Sequence, residues 1–400
     1  MASFKNIAKT FDLIGLKRNV SLPVHGQGVF IFKLSEPTDI HIVNDKQTAG
    51  LIITIDEDEV KVVIREISLD SPVKEIIDID NNSGYVNQPG AYYWISVDSQ
   101  NKQLMVGVGE PRMETKIFYY KFSGENINLE ELTTIKYKWS VSPMRMLRDP
   151  IKSSIPLLIK DTAHLTMDDV ASGTVMPNAN LSTIAQKLYN CISGPKFVLD
   201  DDSFPEFSKA IEHSIRTPGC WCHKRLLEKS TEFNPGGKPN ILETYLRITL
   251  GDNNGESPGI PYVMEIWPVG HFSPIHSHSE ANAVIRVLHG SINVSLFPFL
   301  CATKSGVKPF GIANFNKDDV TWISNTLNQT HQLKNLETNT DTCITIQCYM
   351  YDEEDTQHYD YFDYIDENGK KQQYTPDSDM DFLSFKALMK REYLESASSN

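Results

Sequence analysis

The chain has 400 residues, with 52 acidic and 38 basic side chains and a formal net charge of −14 at neutral pH. That length allows two or three domains with ample core. The acidic balance speaks against nucleic acid, whose phosphates need clustered cations, and no apolar run reaches the roughly 18 residues of a membrane-spanning helix.

Charges at Lys5, Lys9, Lys17 and Arg18 interrupt the apolar positions of the first 20 residues, so no secretory signal is expected. Six cysteines (Cys191, Cys220, Cys222, Cys301, Cys343 and Cys348) have the spacing of neither a zinc ribbon nor a disulfide framework. A reducing, cytoplasmic setting is the expectation.

Residues 1–145 read as an antiparallel β-sandwich of unknown role. Apolar runs at 28–32, 51–55, 60–64, 91–97, 104–108 and 116–122 are rich in β-branched and aromatic residues. Turn signals stand at 81–84 and 98–101, and strands at this spacing suit a sandwich. The aromatics around Tyr92, Tyr93 and Trp94 suit core packing, with sugar stacking as the alternative. The glycines of 106–110 are followed by no helical pattern, so they make no nucleotide loop. A small ligand or a protein is the expected partner of this domain.

Residues 146–180, broken by Pro150, Pro156 and Pro177, read as a connector. From 181 the period becomes helical: Ile184, Leu188, Cys191 and Ile192 share one face. Phe204, Phe207, Ile211 and Ile215 share another, with Pro205 in the first turn. Cys222, Leu226 and Leu227 suit a third short helix, on which Cys220 and Cys222 read as buried thiols or, alternatively, a redox pair.

Strand alternation returns at 244–250 and places Tyr245 and Arg247 on one face. An inward arginine on a strand is costly unless it meets an anion; a surface ladder residue paired with a carboxylate is the other reading. Next comes Gly270-His-Phe-Ser-Pro-Ile-His276-Ser-His278. Two histidines two apart on an extended segment point the same way. Gly290 then turns the chain into the alternating run 292–296. His331 lies on a later β segment as the natural third ligand. Glu280 has strand parity with the pair and stands as a fourth-ligand alternative. Strands at 320–323, 331–333 and 343–349, solvated acidic loops at 352–355 and 377–381, and a closing helix through Phe382, Phe385, Leu388 and Met389 complete the chain.

Together Gly270-x5-His276-x-His278, Gly290 and His331 resemble a cupin, and specifically the thiol dioxygenases of the cysteine dioxygenase family. Tyr245-Leu-Arg247 is similar to that family's Tyr-x-Arg segment. Trp267 and Tyr349 match its aromatic position and its active-site tyrosine. The likeness covers roughly residues 180 to 390.

It implies a mainly β fold, with a jelly-roll cupin barrel and a small helical layer over residues 181–400. It also implies Fe(2+) on His276, His278 and His331, and oxidation of cysteine by O2 to a sulfinic acid. The family's arginine suggests that Arg247 forks onto the substrate carboxylate, beside Tyr245, Trp267 and Gln347, with Tyr349 catalytic. Another small thiol, such as a 3-mercapto acid, and a non-catalytic metal-binding sensor are the alternatives.

Two departures stand out. Ala283 occupies the place of the cysteine that crosslinks to the tyrosine in animal enzymes, a cysteine that bacterial relatives also lack. The family's Ser-x-His-x-Tyr relay becomes Thr345-Ile-Gln347-Cys-Tyr349, and glutamine cannot carry a proton as imidazole does.

Overall fold

The computed structural model describes residues 16, 18–66, 74–77, 84–123, 127–251, 260–303, 306–352 and 361–397. Most of the turn expected at 81–84, the lysines at 5, 9 and 17, and residues 353–355 of the first acidic loop lie outside the described residues. The chain divides into two compact units, Met1–Ile155 and Pro156–Asn400.

The first unit is built from two antiparallel sheets. One runs in the order Arg18–Ser21, Leu132–Tyr137, Thr38–Asn44, Ala49–Ile55, Val60–Glu66, Lys74–Ile77. The other runs Val141–Leu147, Gln27–Leu34, Tyr93–Asp98, Gln103–Val108, Lys116–Lys121. Its central strands are buried on both faces, which is why they read as continuous apolar runs rather than as alternation. Phe30, Phe32 and Tyr93 stack on one face, where Phe30 meets Tyr137 of the other sheet. Val29, Ile31, Trp94 and Met105 pack with Ile151 on the opposite face.

Gly107 lies directly across from Trp94, and a Cβ there would stand 2.1 Å from the indole. The glycine lets the ring lie flat on its neighbour strand. Tyr93 and Trp94 are core residues, 1 % and 0 % exposed, which leaves neither free to stack on a sugar.

The second unit has an eight-stranded and a six-stranded sheet. The larger includes Val320–Ile323, Asn282–His289, Cys343–Met350, Tyr262–Trp267 and Leu246–Thr249 in that order. The smaller includes Ser291–Phe297, Thr330–Lys334, Ile275–Ser277 and Phe362–Ile365.

The stretch expected as a connector is not a plain link. Leu158–Lys160 pairs in parallel with Val175–Pro177 and bridges to Val320, so it forms one edge of the larger sheet. Three-residue strands beside prolines are too short to show a period in sequence.

The helices form where the period places them, with shifts at the edges. Ser182 caps Thr183–Ile192 by accepting from the Ala185 N–H. Its buried face is Ala185, Leu188, Tyr189 and Ile192, rotated from the expected one, so that Ile184 and Cys191 are half-buried. Pro205 precedes the helix Phe207–Arg216 instead of opening it.

The closing helix Phe382–Ala397 packs Phe385 against Phe207 and Trp221. Its Glu392 accepts from Ser214 Oγ at 2.6 Å and from the Trp221 N–H at 2.8 Å. Cys222 sits buried beside Met389 at 3.8 Å, and all six cysteines are free thiols.

The second acidic loop departs most from expectation. Asp379 is not solvated: its side chain is 1 % exposed. It accepts from Lys229 Nζ at 3.1 Å, Arg225 Nε at 2.8 Å and the Arg247 backbone N–H at 2.7 Å. Paired cations convert a loop carboxylate into a buried clamp on the Arg247 strand.

Candidate metal centre

His276 and His331 are cross-strand neighbours in the smaller sheet, so the pleat alone sets their side chains next to each other. His278 lies just past the end of its strand. Its N–H bonds to the Gln329 carbonyl, and its own carbonyl accepts from the Ala281 N–H. Ser279 and Glu280 then take positive φ, 50° and 69°. The extended parity therefore ends at His278, and Glu280 is exposed. The converging ligand atoms among the described residues belong to His276, His278 and His331, with the Glu280 alternative excluded by this turn.

The three rings face inward by Nε2. His276 and His278 are 3.1 Å apart at these atoms, as are His278 and His331. His276 Nδ1 donates to the Pro274 carbonyl at 3.0 Å and His331 Nδ1 to the Asn328 carbonyl at 2.9 Å. A carbonyl only accepts, so both Nε2 atoms carry bare lone pairs. These two lone pairs are free to ligate, and the third imidazole nitrogen, His278 Nε2, lies 3.1 Å from each.

Two of the three separations match one metal's ligand set, and the three ligand atoms lie within 4.8 Å of one another. Metal–nitrogen bonds of about 2.1 Å at right angles put ligand nitrogens about 3.0 Å apart. Burial holds all three rings neutral: His276 is pushed down to about 4 and His331 to about 3, and His278 lies well below its ordinary range. For His278 the neighbouring histidines and Arg247 add to burial. Neutral imidazole is the ligating form.

The histidines open onto a cavity with 50 Å³ of water-accessible space. Trp267, Tyr245, Gln347 and Tyr349 line it, as do Glu265, Phe362 and a set of aliphatic side chains from both sheets. Tyr245 stacks on Trp267 with centroids 4.2 Å apart and forms one wall. Tyr349 stacks on His278 at 5.8 Å and donates its hydroxyl to Gln347 Oε1 at 2.9 Å. Burial pushes the Tyr349 phenol far above its ordinary range, Glu265 adds to this and Arg247 opposes it.

Ala283 lies opposite Tyr349 across the strands. The adjacent Cys348 thiol donates to the Leu188 carbonyl at 3.4 Å. No cysteine is among the described residues lining the cavity beside the phenol.

Arg247 lies near the site, 6.0 Å from the Tyr349 ring centroid. It faces inward on its strand, but its Nη1 donates to Glu265 Oε1 at 3.0 Å, and both side chains are buried. The two are direct cross-strand partners. Glu265 lines the cavity and Arg247 does not. Glu265 thus engages one guanidinium nitrogen, while Arg247 Nε is buried with no hydrogen-bond partner among the described residues. Burial raises Glu265 and the charge of Arg247 opposes that rise.

Glu265 and Phe362 escaped the sequence reading. A lone carboxylate in the otherwise apolar run Tyr262–Trp267 is the signal that marks the first. Phe362, 4.4 Å from His278, follows undescribed residues and carries no signal of its own.

No family model matches the sequence. Among solved structures, the cupin domain of Schizosaccharomyces pombe Cnp3 overlaps 27 % of this chain and 65 % of its own, at 15 % identity and a TM-score of 0.21. A cupin 2 domain-containing protein from Halorhodospira halophila overlaps 36 % and 77 %, at 14 % and 0.21. An oxalate oxidase overlaps 27 % and 51 %, at 17 % and 0.22. None of these three is a thiol dioxygenase. The second unit is a jelly roll of the cupin type. That assignment rests on the two sheets and the inward histidines, not on overlaps this short. The first of these structures is matched over less than two thirds of its length. Among the described residues no helix is long and apolar enough to cross a membrane.

Proposed function

We propose that the second unit is a metal-dependent dioxygenase acting on a small thiol, with Fe(2+) held by His276, His278 and His331. The observation that supports this best is the convergence of three imidazole Nε2 atoms, two of them with bare lone pairs, on a mostly apolar cavity. Imidazole ligands suit iron, copper, nickel and zinc alike, and iron is chosen by the resemblance of the surrounding motifs to the thiol dioxygenases. When bound, the metal supplies adjacent open positions at which a thiolate and O2 meet.

The overall change is RSH + O2 → RSO2H. Both oxygen atoms go to sulfur, which loses four electrons while O2 gains four, so no outside reductant is needed. The chain's own groups hold and screen the thiol. Tyr245 and Trp267 form a rigid wall, Phe362 and Tyr349 flank His278, and Gln347 fixes the Tyr349 hydroxyl. In this reading Arg247 orients Glu265 and does not bind substrate. Six free thiols suit a reducing, cytoplasmic compartment.

The test is metal analysis of the purified protein, followed by O2 uptake with cysteine, a 3-mercapto acid and uncharged thiols. The expected result is one iron per chain and a product 32 mass units heavier, about the mass of O2, by the stoichiometry above. Bound metal without thiol-dependent O2 uptake would leave a non-catalytic metal-binding cupin.

A further inference from the structure

The cavity wall beside the histidines is unusual in its charge. Its one carboxylate, Glu265, is paired at 3.0 Å with Arg247, and the ionised pair is neutral as a unit. No other Asp, Glu, Lys or Arg lines the cavity among the described residues. Its far end is hydrocarbon: Leu157, Val287, Ile292, Val294 and Phe315 close it from both sheets. Two donors in this wall lack partners among the described residues, the buried indole N–H of Trp267 and the Gln347 Nε2 amide.

We infer that the substrate is an uncharged thiol with a short hydrocarbon body, not an amino acid or a mercapto acid. The inference rests on the thiol reading given above and narrows it.

A ligand carboxylate entering here would lie against Glu265, while Arg247 stands outside the lining and donates its Nη1 to that same carboxylate. An ammonium would have to share a carboxylate that Arg247 already neutralises. A buried ion without its own counter-ion is strongly disfavoured. A hydrocarbon body meets no such penalty and gains by leaving water.

The 50 Å³ of open space has room for roughly four water-sized groups, so the body is short. Trp267 N–H would take one acceptor on it, such as an ether oxygen. Arg247 and Glu265 are thereby positioning residues: their mutual pair removes charge from the wall and fixes which thiols fit.

The test uses the full chain and two readouts. In the first, metal-free protein is titrated with butanethiol, cysteine, 3-mercaptopropionate and cysteamine, and the fluorescence of Trp267 and Trp322, which both line the cavity, is followed. Butanethiol is expected to change it in a saturable way, at least tenfold more tightly than the three charged thiols. Val294→Phe, which fills the hydrocarbon end, is expected to abolish that response and keep bound metal.

In the second, iron-loaded protein is assayed for O2 uptake, and kcat/KM is expected to be highest for butanethiol by tenfold or more. Tighter binding or faster turnover of cysteine or 3-mercaptopropionate overturns the inference, and so does a preference for cysteamine, which would make Glu265 an ammonium site. Absence of a butanethiol response in the metal-free protein overturns it whatever the O2 assay gives. If no thiol supports O2 uptake while butanethiol still binds best, the dioxygenase reading fails and the uncharged cavity stands.

Discussion

Both units are layered β structures, yet they treat their interiors in opposite ways. In the first, Phe30, Phe32, Tyr93, Trp94 and Phe118 fill the core with rings. In the second, the sheets enclose a cavity. Three polar atoms on its lining residues have no partner among the described residues, His278 Nδ1, Trp267 Nε1 and Gln347 Nε2, whereas the core of rings named above has one, Trp94 Nε1. A polar atom left unsatisfied in a buried site costs stability and is retained where a ligand completes it. The comparison teaches that the filled sandwich is built for stability, whereas the hollow one accepts a local cost at its centre.

The sharpest way to break this contrast is to truncate each interior in turn. His276→Ala, His278→Ala or His331→Ala should each lose bound metal and reduce turnover to background, with the fold intact by circular dichroism. Trp94→Ala should do the reverse. It should cost about 3–5 kcal/mol of stability and leave metal content unchanged, measured by chemical denaturation and metal analysis. Full metal occupancy in the His331 variant would remove that residue from the centre.

Next in size is the Arg247–Glu265 pair. Arg247→Ala strands a buried carboxylate and should destabilise the second unit by about 3–5 kcal/mol. The double change Arg247→Met with Glu265→Leu should recover much of that, because no charge then remains uncompensated. If Arg247→Ala alone left stability untouched and raised only KM for a carboxylate-bearing thiol, the arginine would be a substrate anchor after all.

Acid should sharpen the contrast further. The folded-state values of His276 and His331 are depressed to about 4 and about 3, so the unfolded chain takes up protons first as pH falls. Their contribution is therefore fully present above about pH 6.5. It is lost between there and about 4 for His276 and about 3 for His331, on the order of 3 kcal/mol for His276 alone. Metal-free protein should show a falling melting temperature from pH 7 to pH 5, and His276→Asn should flatten that slope.

The smallest effects belong to the groups at the rim. Tyr349→Phe should keep metal and slow turnover on the order of tenfold, and intact mass should show no two-hydrogen deficit joining Tyr349 to a cysteine. Glu280→Gln should change neither metal content nor rate.

Periodicity made the strands of both units, the helical layer and the three histidines legible in sequence, because each rests on local spacing. What stayed hidden depends on neighbours far along the chain. Arg247 reads as an inward cation, but nothing local says that Glu265, on the next strand, holds it. Glu280 has the right parity for a ligand, and only the left-handed turn at Ser279 and Glu280 takes it out of line. Leu158–Lys160 and Val175–Pro177 are strands only because a sheet edge is there to receive them.

The Asp379 clamp has a consequence for the order in which the protein is made. Arg247 precedes that carboxylate by 132 positions, so its strand leaves the ribosome long before its anchor exists. Domains generally fold as units during synthesis, the earlier ones first. The first unit can therefore close while translation continues, whereas the floor of the cavity stays unlatched until residue 379 emerges and draws Arg225, Lys229 and the Arg247 strand together.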